Sequence, residues 1–191
     1  SVRVEPRVIK VVLFDFDVVL MTDKTGSVST IRSLSCETGF SEDALWDAFA
    51  PFNERLLLGQ ITHLAVWPEI CARLGRDLDP LVLVRAFEST PIRRDMLAYA
   101  AELNSRYATA VITDNKADRM HCLSERHSLT RIFNVVLVSA EHGSGKEHAS
   151  IFERAAELLG VEPEQCVFVD NSERNLVAPA ALGMGTVYFN E

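Results

Sequence analysis

Four short apolar runs constrain the fold of this chain more than any other feature: Val8–Phe14, Tyr107–Ile112, Asn134–Val138 and Cys166–Val169. Each is about strand length and rich in β-branched residues, and none alternates polar with apolar side chains. Strands apolar on both sides must be covered on both faces, which is the condition of a parallel sheet between helical layers. Gly185–Phe189 reads as a fifth strand. Helical patterns separate the later strands, at Arg94–Ser105, Lys116–Ser128 and Ser150–Leu159. In the last, Ile151, Phe152, Ala155, Leu158 and Leu159 recur at helical spacing, Gly160 stands at the C-cap position, and Pro163 blocks continuation. The alternation predicts an α/β fold, a doubly wound parallel sheet with right-handed crossovers.

Residues 27–88 break that rhythm. Ser41, with Asp43 and Ala44, opens one helix; Ile61–Leu74 forms a second that stops at Gly75; Asp79–Phe87 forms a third that starts near Pro80. So much helix between the first two strands exceeds what a single crossover needs. The expected organisation is an α/β core of residues 1–22 and 90–191 and an inserted all-helical cap of residues 23–89, with hinges near Met21–Gly26 and Ser89–Ile92. Trp46, Trp67, Phe49 and Phe52 are expected in the cap's core.

The 191 residues carry a formal net charge of −8, which argues against a nucleic-acid or anionic-membrane surface. A small phosphorylated partner remains compatible, because a local pocket can be positive on an acidic protein. No apolar run approaches the roughly 20 residues of a membrane helix, and the first is interrupted by Lys10, Asp15 and Asp17. Cys36, Cys71, Cys122 and Cys166 show neither CxxC pairing nor metal-like spacing, as expected of reduced thiols in a cytoplasmic protein. Either a monomer or a homodimer is expected.

Three predicted strands end in chemistry-bearing residues. The first runs into Asp15-Phe16-Asp17, the second into Thr113-Asp114-Asn115, and the fourth into Asp170-Asn171. Ligands of open α/β sheets bind at the carboxyl ends of the strands, so these residues should converge. Asp15 and Asp17, two apart, would repel unless a cation sat between them, and Asp170 adds a third carboxylate. Hard oxygen donors, too few for a closed cage, suit magnesium. The Thr113 hydroxyl and the N–H groups after it, Asp114 included, can donate to a phosphate. Lys146, in Gly143-Ser144-Gly145-Lys146, can place a positive charge opposite the metal. Together these are the parts of phosphoryl transfer. A nucleotide-binding P-loop is rejected, because Ala140 and Glu147 stand where glycine and Ser/Thr are required.

Phe-Asp-Phe-Asp-Val-Val-Leu, Val-Ile-Thr-Asp-Asn, Gly-Lys-Glu-His-Ala-Ser-Ile-Phe and Val-Phe-Val-Asp-Asn-Ser-Glu-Arg-Asn resemble, in order, the four motifs of the haloacid dehalogenase (HAD) superfamily. The helical insertion is similar to that family's small cap, and the likeness spans the chain from about Val8 onward. The resemblance implies Asp15 as nucleophile, forming an acyl phosphate, and Asp17 as general acid and base. It implies Thr113 and Lys146 as clamps on the phosphoryl group. Mg2+ would be held by the Asp15 and Asp170 carboxylates and the Asp17 main-chain carbonyl. It favours phosphoesters over haloacids, because the family's dehalogenases lack the second aspartate. The implied substrate is a small phosphorylated metabolite, selected in part by a cap segment near Asn53-Glu54-Arg55, with Arg55 the candidate contact.

Three positions depart from the family pattern. Val18 stands where glycine usually follows the second aspartate, Asn171 stands for a second acid that Glu173 could replace through water, and Glu147 stands for proline. A mutase uses the same residues, and a regulatory phosphate-binding domain is supported by Val18 and Asn171. A receiver domain is discarded for want of the insertion. None of the histidines (His63, His121, His127, His142, His148) shows metal-ligand spacing, and His142 lies near enough to Lys146 to approach the site. Asn175 is read as a loop brace, and Asp114 or Asn115 as an N-cap.

Overall fold

The computed structural model describes residues 7–190; residues 1–6 and 191, counted above with the core, lie outside the described residues. Five strands form one parallel sheet among the described residues: β1 (Val11–Phe14), β2 (Ala108–Thr113), β3 (Val135–Val138), β4 (Cys166–Asp170) and β5 (Gly185–Tyr188). Their order is β3-β2-β1-β4-β5, so the chain winds outward from β1 in one direction and then returns to wind in the other. Phe14 pairs with Val111 on β2 and Val169 on β4, which aligns the ends of the three central strands.

Alternate side chains of these strands feed two apolar layers. Val11, Leu13, Ala110, Ile112 and Phe168 pack on one face with Ile151 and Phe152 of α10 (Ala149–Leu159). Phe152 meets Phe168 edge-on at 5.0 Å between ring centroids. α11 (Glu173–Ala181) completes this layer through Leu176 and Ala178. On the opposite face Phe14, Val111 and Val138 pack against α6 (Arg94–Leu103), α7 (Ala117–Arg126) and α8 (Leu129–Ile132). Burial on both faces accounts for the lack of alternation, at about 1.5–3 kcal/mol for each fully buried large side chain. The edge strand β5 departs from this, with Val187 and Tyr188 about half exposed. β1 begins at Val11 rather than Val8, and the short helices α8 and α9 (Ser139–His142) were not anticipated.

Residues 26–88 form five α-helices, α1 (Gly26–Thr38), α2 (Glu42–Phe49), α3 (Asn53–Leu57), α4 (His63–Leu74) and α5 (Leu81–Glu88), with a 3-10 turn (Ala50–Phe52) between α2 and α3. Ser41 caps α2 by accepting from Ala44 N–H, and Thr62 caps α4 by accepting from Ala65 N–H, both at 3.2 Å. The helices surround an apolar cluster of their own that includes Leu45, Phe49, Trp67, Ile70 and Phe87. Trp46 is not part of it; the residue is 38% exposed. The segments leading into and out of this insertion run antiparallel, with a bridge between Met21 and Ile92. Thr22 N–H donates to the Pro91 carbonyl at 3.1 Å, and Arg93 N–H to that of Leu20 at 2.9 Å.

Candidate active site

Because β1 has neighbours on both sides, the residue after it lies at the centre of the sheet's carboxyl edge. Asp15 takes that position, and its N–H donates to the Val169 carbonyl at 2.9 Å. Thr113 ends β2 and Asp170 ends β4. Lys146 arrives from the loop after α9 and donates to Asp15 Oδ1 at 2.7 Å and to Asp170 Oδ2 at 2.8 Å. Asp15, Asp170, Lys146 and Thr113 are all buried. Asp170 is braced by Ser172 N–H at 2.8 Å and by the Asn175 side-chain amide at 3.2 and 3.3 Å.

Burial dominates the electrostatics. It pushes the Asp15 carboxyl up to about 7, with Lys146 pulling the other way and Asp170 and Asp17 adding repulsion. Burial also disfavours the Lys146 ammonium, but Asp15 and Asp170 outweigh it and hold that group above the ordinary lysine range. Both hydrogen bonds to the Asp15 side chain, from Lys146 and from Phe16 N–H at 2.7 Å, fall on Oδ1. Oδ2 is left for an electrophile or a cation.

The chain turns sharply beyond Phe16. Val19 N–H donates to the Asp17 carbonyl at 2.8 Å, around Val18 at φ 65°. A bond from i to i+2 across a residue of positive φ is the rare, strained form of γ-turn, and a β-branched residue is a poor occupant of it. The Arg93 side chain supports the turn, donating to the Val18 carbonyl at 2.9 Å. Beyond the turn the Asp17 side chain lines a cavity of about 580 Å³ between the sheet edge and the helical insertion. Among the described residues no three His, Cys, Asp or Glu side chains converge on a metal position.

Asp17 Oδ1 accepts from the Asn115 amide at 3.3 Å and lies 3.6 Å from Arg119 Nη1. Burial raises the Asp17 carboxyl, against the lowering influence of Arg119 and Lys146. Arg119 is 1% exposed and donates to Asn115 Oδ1 at 2.9 Å and Thr90 Oγ1 at 3.2 Å, while its Nε has no hydrogen-bond partner. Its guanidinium lies flat against Gly26, where a Cβ would stand 2.3 Å from Arg119 Cζ. Lys116 is 8% exposed and donates to Ser27 Oγ at 2.8 Å. Burial, with Arg119 nearby, lowers the Lys116 pKa to about 8. The apolar wall of the cavity includes Trp46, Phe49 and Phe87.

Several expected placements change. The Asp114 side chain, for which no role was expected beyond a possible N-cap, has its Oδ1 accepting from Lys146 N–H at 2.9 Å and lying where any side chain at Gly145 would stand. Its carboxylate shapes the lysine loop, and only its main chain is available at the strand end. Neither Asp114 nor Asn115 caps α7, which has Lys116 at the N-cap position without a side-chain bond. Arg55 lies outside the cavity lining, exposed and stacked over the Phe52 ring at 5.7 Å, whereas Asn53 of the same helix lines it. His142 pairs with Ser150 at 3.1 Å, and Glu173 is exposed. Asn115 was expected at the strand end, but its bonds to Asp17 and Arg119 were not, and Lys116, Arg119 and Ser27 were missed. A Lys and an Arg at i and i+3 just after a strand-end motif were the available signal, and they read as an ordinary solvated helix face.

Residues 9–183 match the family profile of haloacid dehalogenase-like hydrolases, and the chain belongs to that family. A phosphoserine phosphatase from Thermus thermophilus is 26% identical over 140 residues. That alignment covers 72% of this chain, and the chain spans only about half, 54%, of the relative's length. Among solved structures, a HAD family enzyme from Bacteroides thetaiotaomicron in complex with magnesium and inorganic phosphate superposes with a TM-score of 0.74 at 20% identity. The match covers 94% of this chain and 93% of that one. An L-2-haloacid dehalogenase from Xanthobacter autotrophicus gives 0.65 at 18% identity over 94% and 77% of the two chains. At these identities the structures show a shared fold.

Proposed function

We propose that this hydrolase is a magnesium-dependent phosphatase that cleaves a small phosphomonoester through a phospho-aspartate at Asp15. The observation that carries the reading is the buried Asp15–Lys146–Asp170 cluster at the sheet's carboxyl edge, with Asp15 Oδ2 free of hydrogen bonds. In this reading Asp15 Oδ2 attacks phosphorus, and Lys146 and the Thr113 hydroxyl neutralise charge on the phosphoryl oxygens. Asp17, its carboxyl raised by burial beside the cavity, hands a proton to the departing alkoxide. It then takes one from the water that hydrolyses the acyl phosphate. A halide leaving group needs no such proton, which favours an ester over a haloacid.

The donor set fits magnesium: two carboxylates, Asp15 and Asp170, and the Asp17 carbonyl, which accepts one bond from Val19 and has a second lone pair. When bound, the ion would neutralise charge on the phosphate oxygens that Lys146 does not reach. The helical insertion is assigned the role of a cap (residues 23–89) over a core of residues 7–22 and 90–190, closing on substrate and excluding water. The phosphoserine phosphatase relative and the phosphate-bound neighbour support a phosphorylated substrate.

The test is phosphate release from an aryl phosphate with and without magnesium, for wild type and Asp15→Asn. Magnesium-dependent release that the substitution abolishes supports the proposal. Absence of release across a broad phosphomonoester panel refutes it.

A further inference from the structure

The cavity beyond Asp17 has a charge distribution that transfer of a phosphoryl group does not require. Its charged side chains are the carboxylates of Asp17, used in the proposed proton transfer, and Asp114, which holds the lysine loop, and two cations, Lys116 and Arg119, both at least nine-tenths buried. Lys116 has no carboxylate within 4.0 Å among the described residues; its one hydrogen bond goes to the neutral Ser27 hydroxyl. Arg119 is only partly offset by Asp17 at 3.6 Å and leaves its Nε unpaired. Asp17 is thus the carboxylate that both cations face, and two buried cations sharing one carboxylate are costly unless a ligand supplies a further anion. The first turn of α1 opens onto the same space through Gly26 and Ser27, adding the positive end of a helix 13 residues long. The remaining wall mixes aromatic side chains, Trp46, Phe49 and Phe87, with the neutral polar groups of Thr30 and Asn53 and with His63.

We infer that the leaving group of the substrate carries a second anionic group, a carboxylate or a phosphate, seated on Lys116, Ser27 and Arg119 while its apolar body lies against Trp46 and Phe49. The inference rests on the phosphatase reading and deepens it, since it names the class of ester. Lys116 acts as a specificity residue: its ammonium meets the distal anion and not the phosphorus.

The experiment compares phenyl phosphate, its 4-carboxy derivative and its 4-phosphate, which share a body and differ only in the distal group. kcat/KM is measured for wild type, and binding of the same three compounds to magnesium-loaded Asp15→Asn protein is measured by calorimetry. The binding arm keeps the inference testable even if turnover is absent. Expected is a preference of roughly 10- to 100-fold for an anionic compound over phenyl phosphate, the scale of one hydrogen bond to a charged group. Which anion leads identifies carboxylate or phosphate. In Lys116→Met that ratio falls to about 1–2, and in Lys116→Arg, which keeps the charge, most of it returns. Equal binding and turnover of all three compounds by wild type, or a ratio unmoved by Lys116→Met, overturns the inference. Phosphate release without distal discrimination would sink it alone, whereas discriminating binding without release would sink the phosphatase reading alone.

Discussion

The Lys146 ammonium sits 2.7 Å from Asp15 Oδ1, with side-chain exposures of 4% and 5%, so each charge is solvated mainly by the other. Asp170 closes the group at 2.8 Å from the same ammonium, at 0% exposure. Two carboxylates at one end of a sheet are tolerated because one buried cation spans them.

Removing that cation leaves two buried carboxylates uncompensated. Lys146→Met is expected to abolish turnover and to destabilise by about 3–5 kcal/mol near pH 8. The sign of the pH dependence follows from Asp15, whose folded pKa already lies above its unfolded value. Folding therefore favours the protonated carboxyl, so lowering the pH from 8 towards 5 selectively relieves the folded state. Urea denaturation at both pH values should show the penalty shrinking as pH falls.

Lys116 presents the reverse case, a residue whose native position opposes stability. Burial holds its folded pKa at about 8, below the unfolded lysine value. Stability linked to this group is full only above about pH 10.5 and is lost as pH falls towards 8, which leaves a penalty on the order of 1–3 kcal/mol at pH 7. Lys116→Met should raise the denaturation midpoint at pH 7, with the advantage declining above pH 9. A lowered midpoint would show that the ammonium is compensated in the fold.

Val18 allows a test of backbone strain. At φ 65° alanine keeps the strain and loses the buried isopropyl group, whereas glycine loses the same burial and is released from the strain. Val18→Gly should therefore be more stable than Val18→Ala by about 1 kcal/mol, the reverse of the usual order outside turns. Chemical denaturation of the pair decides it. Wild-type turnover equal to that of Val18→Gly would show that valine at this position does not disable the site.

Asp17→Asn removes the proposed proton donor and keeps the shape. Turnover of an alkyl phosphate should fall roughly 10²–10⁴-fold. That of an aryl phosphate with an acidic phenol should fall much less, because such a leaving group departs unprotonated. Equal losses on both would remove Asp17 from the role of acid.

The fold was legible because parallel strands announce themselves as continuous apolar runs, and because Gly75, Gly160, Ser41 and Pro163 mark helix ends by local chemistry. The convergence of Asp15, Thr113 and Asp170 was legible for a similar reason, since strand ends of an open sheet share one edge, whereas Lys146, in the loop after α9, was legible from its Gly-Ser-Gly-Lys setting and the family resemblance. The cavity was not. Arg119 and Lys116 are buried by the insertion and its connections, with Gly26 against the guanidinium, Thr90 bonded to it and Ser27 on the ammonium. Nothing in the local pattern of α7 distinguishes them from surface charges. Arg55 and Trp46 failed in the opposite direction. The rotation of a short helix decides which residue faces the cavity, and neighbours one or two positions apart in sequence exchange places.

The most direct measurement is chemical trapping of the intermediate. Wild-type protein turning over a phosphomonoester with magnesium is quenched in acid, reduced with borohydride and digested, and the peptide containing Asp15 is sequenced by mass spectrometry. The account predicts homoserine at position 15, from reduction of the acyl phosphate, and its absence without substrate. Turnover with aspartate unaltered at position 15, or with the reduced residue at another carboxylate, would contradict it.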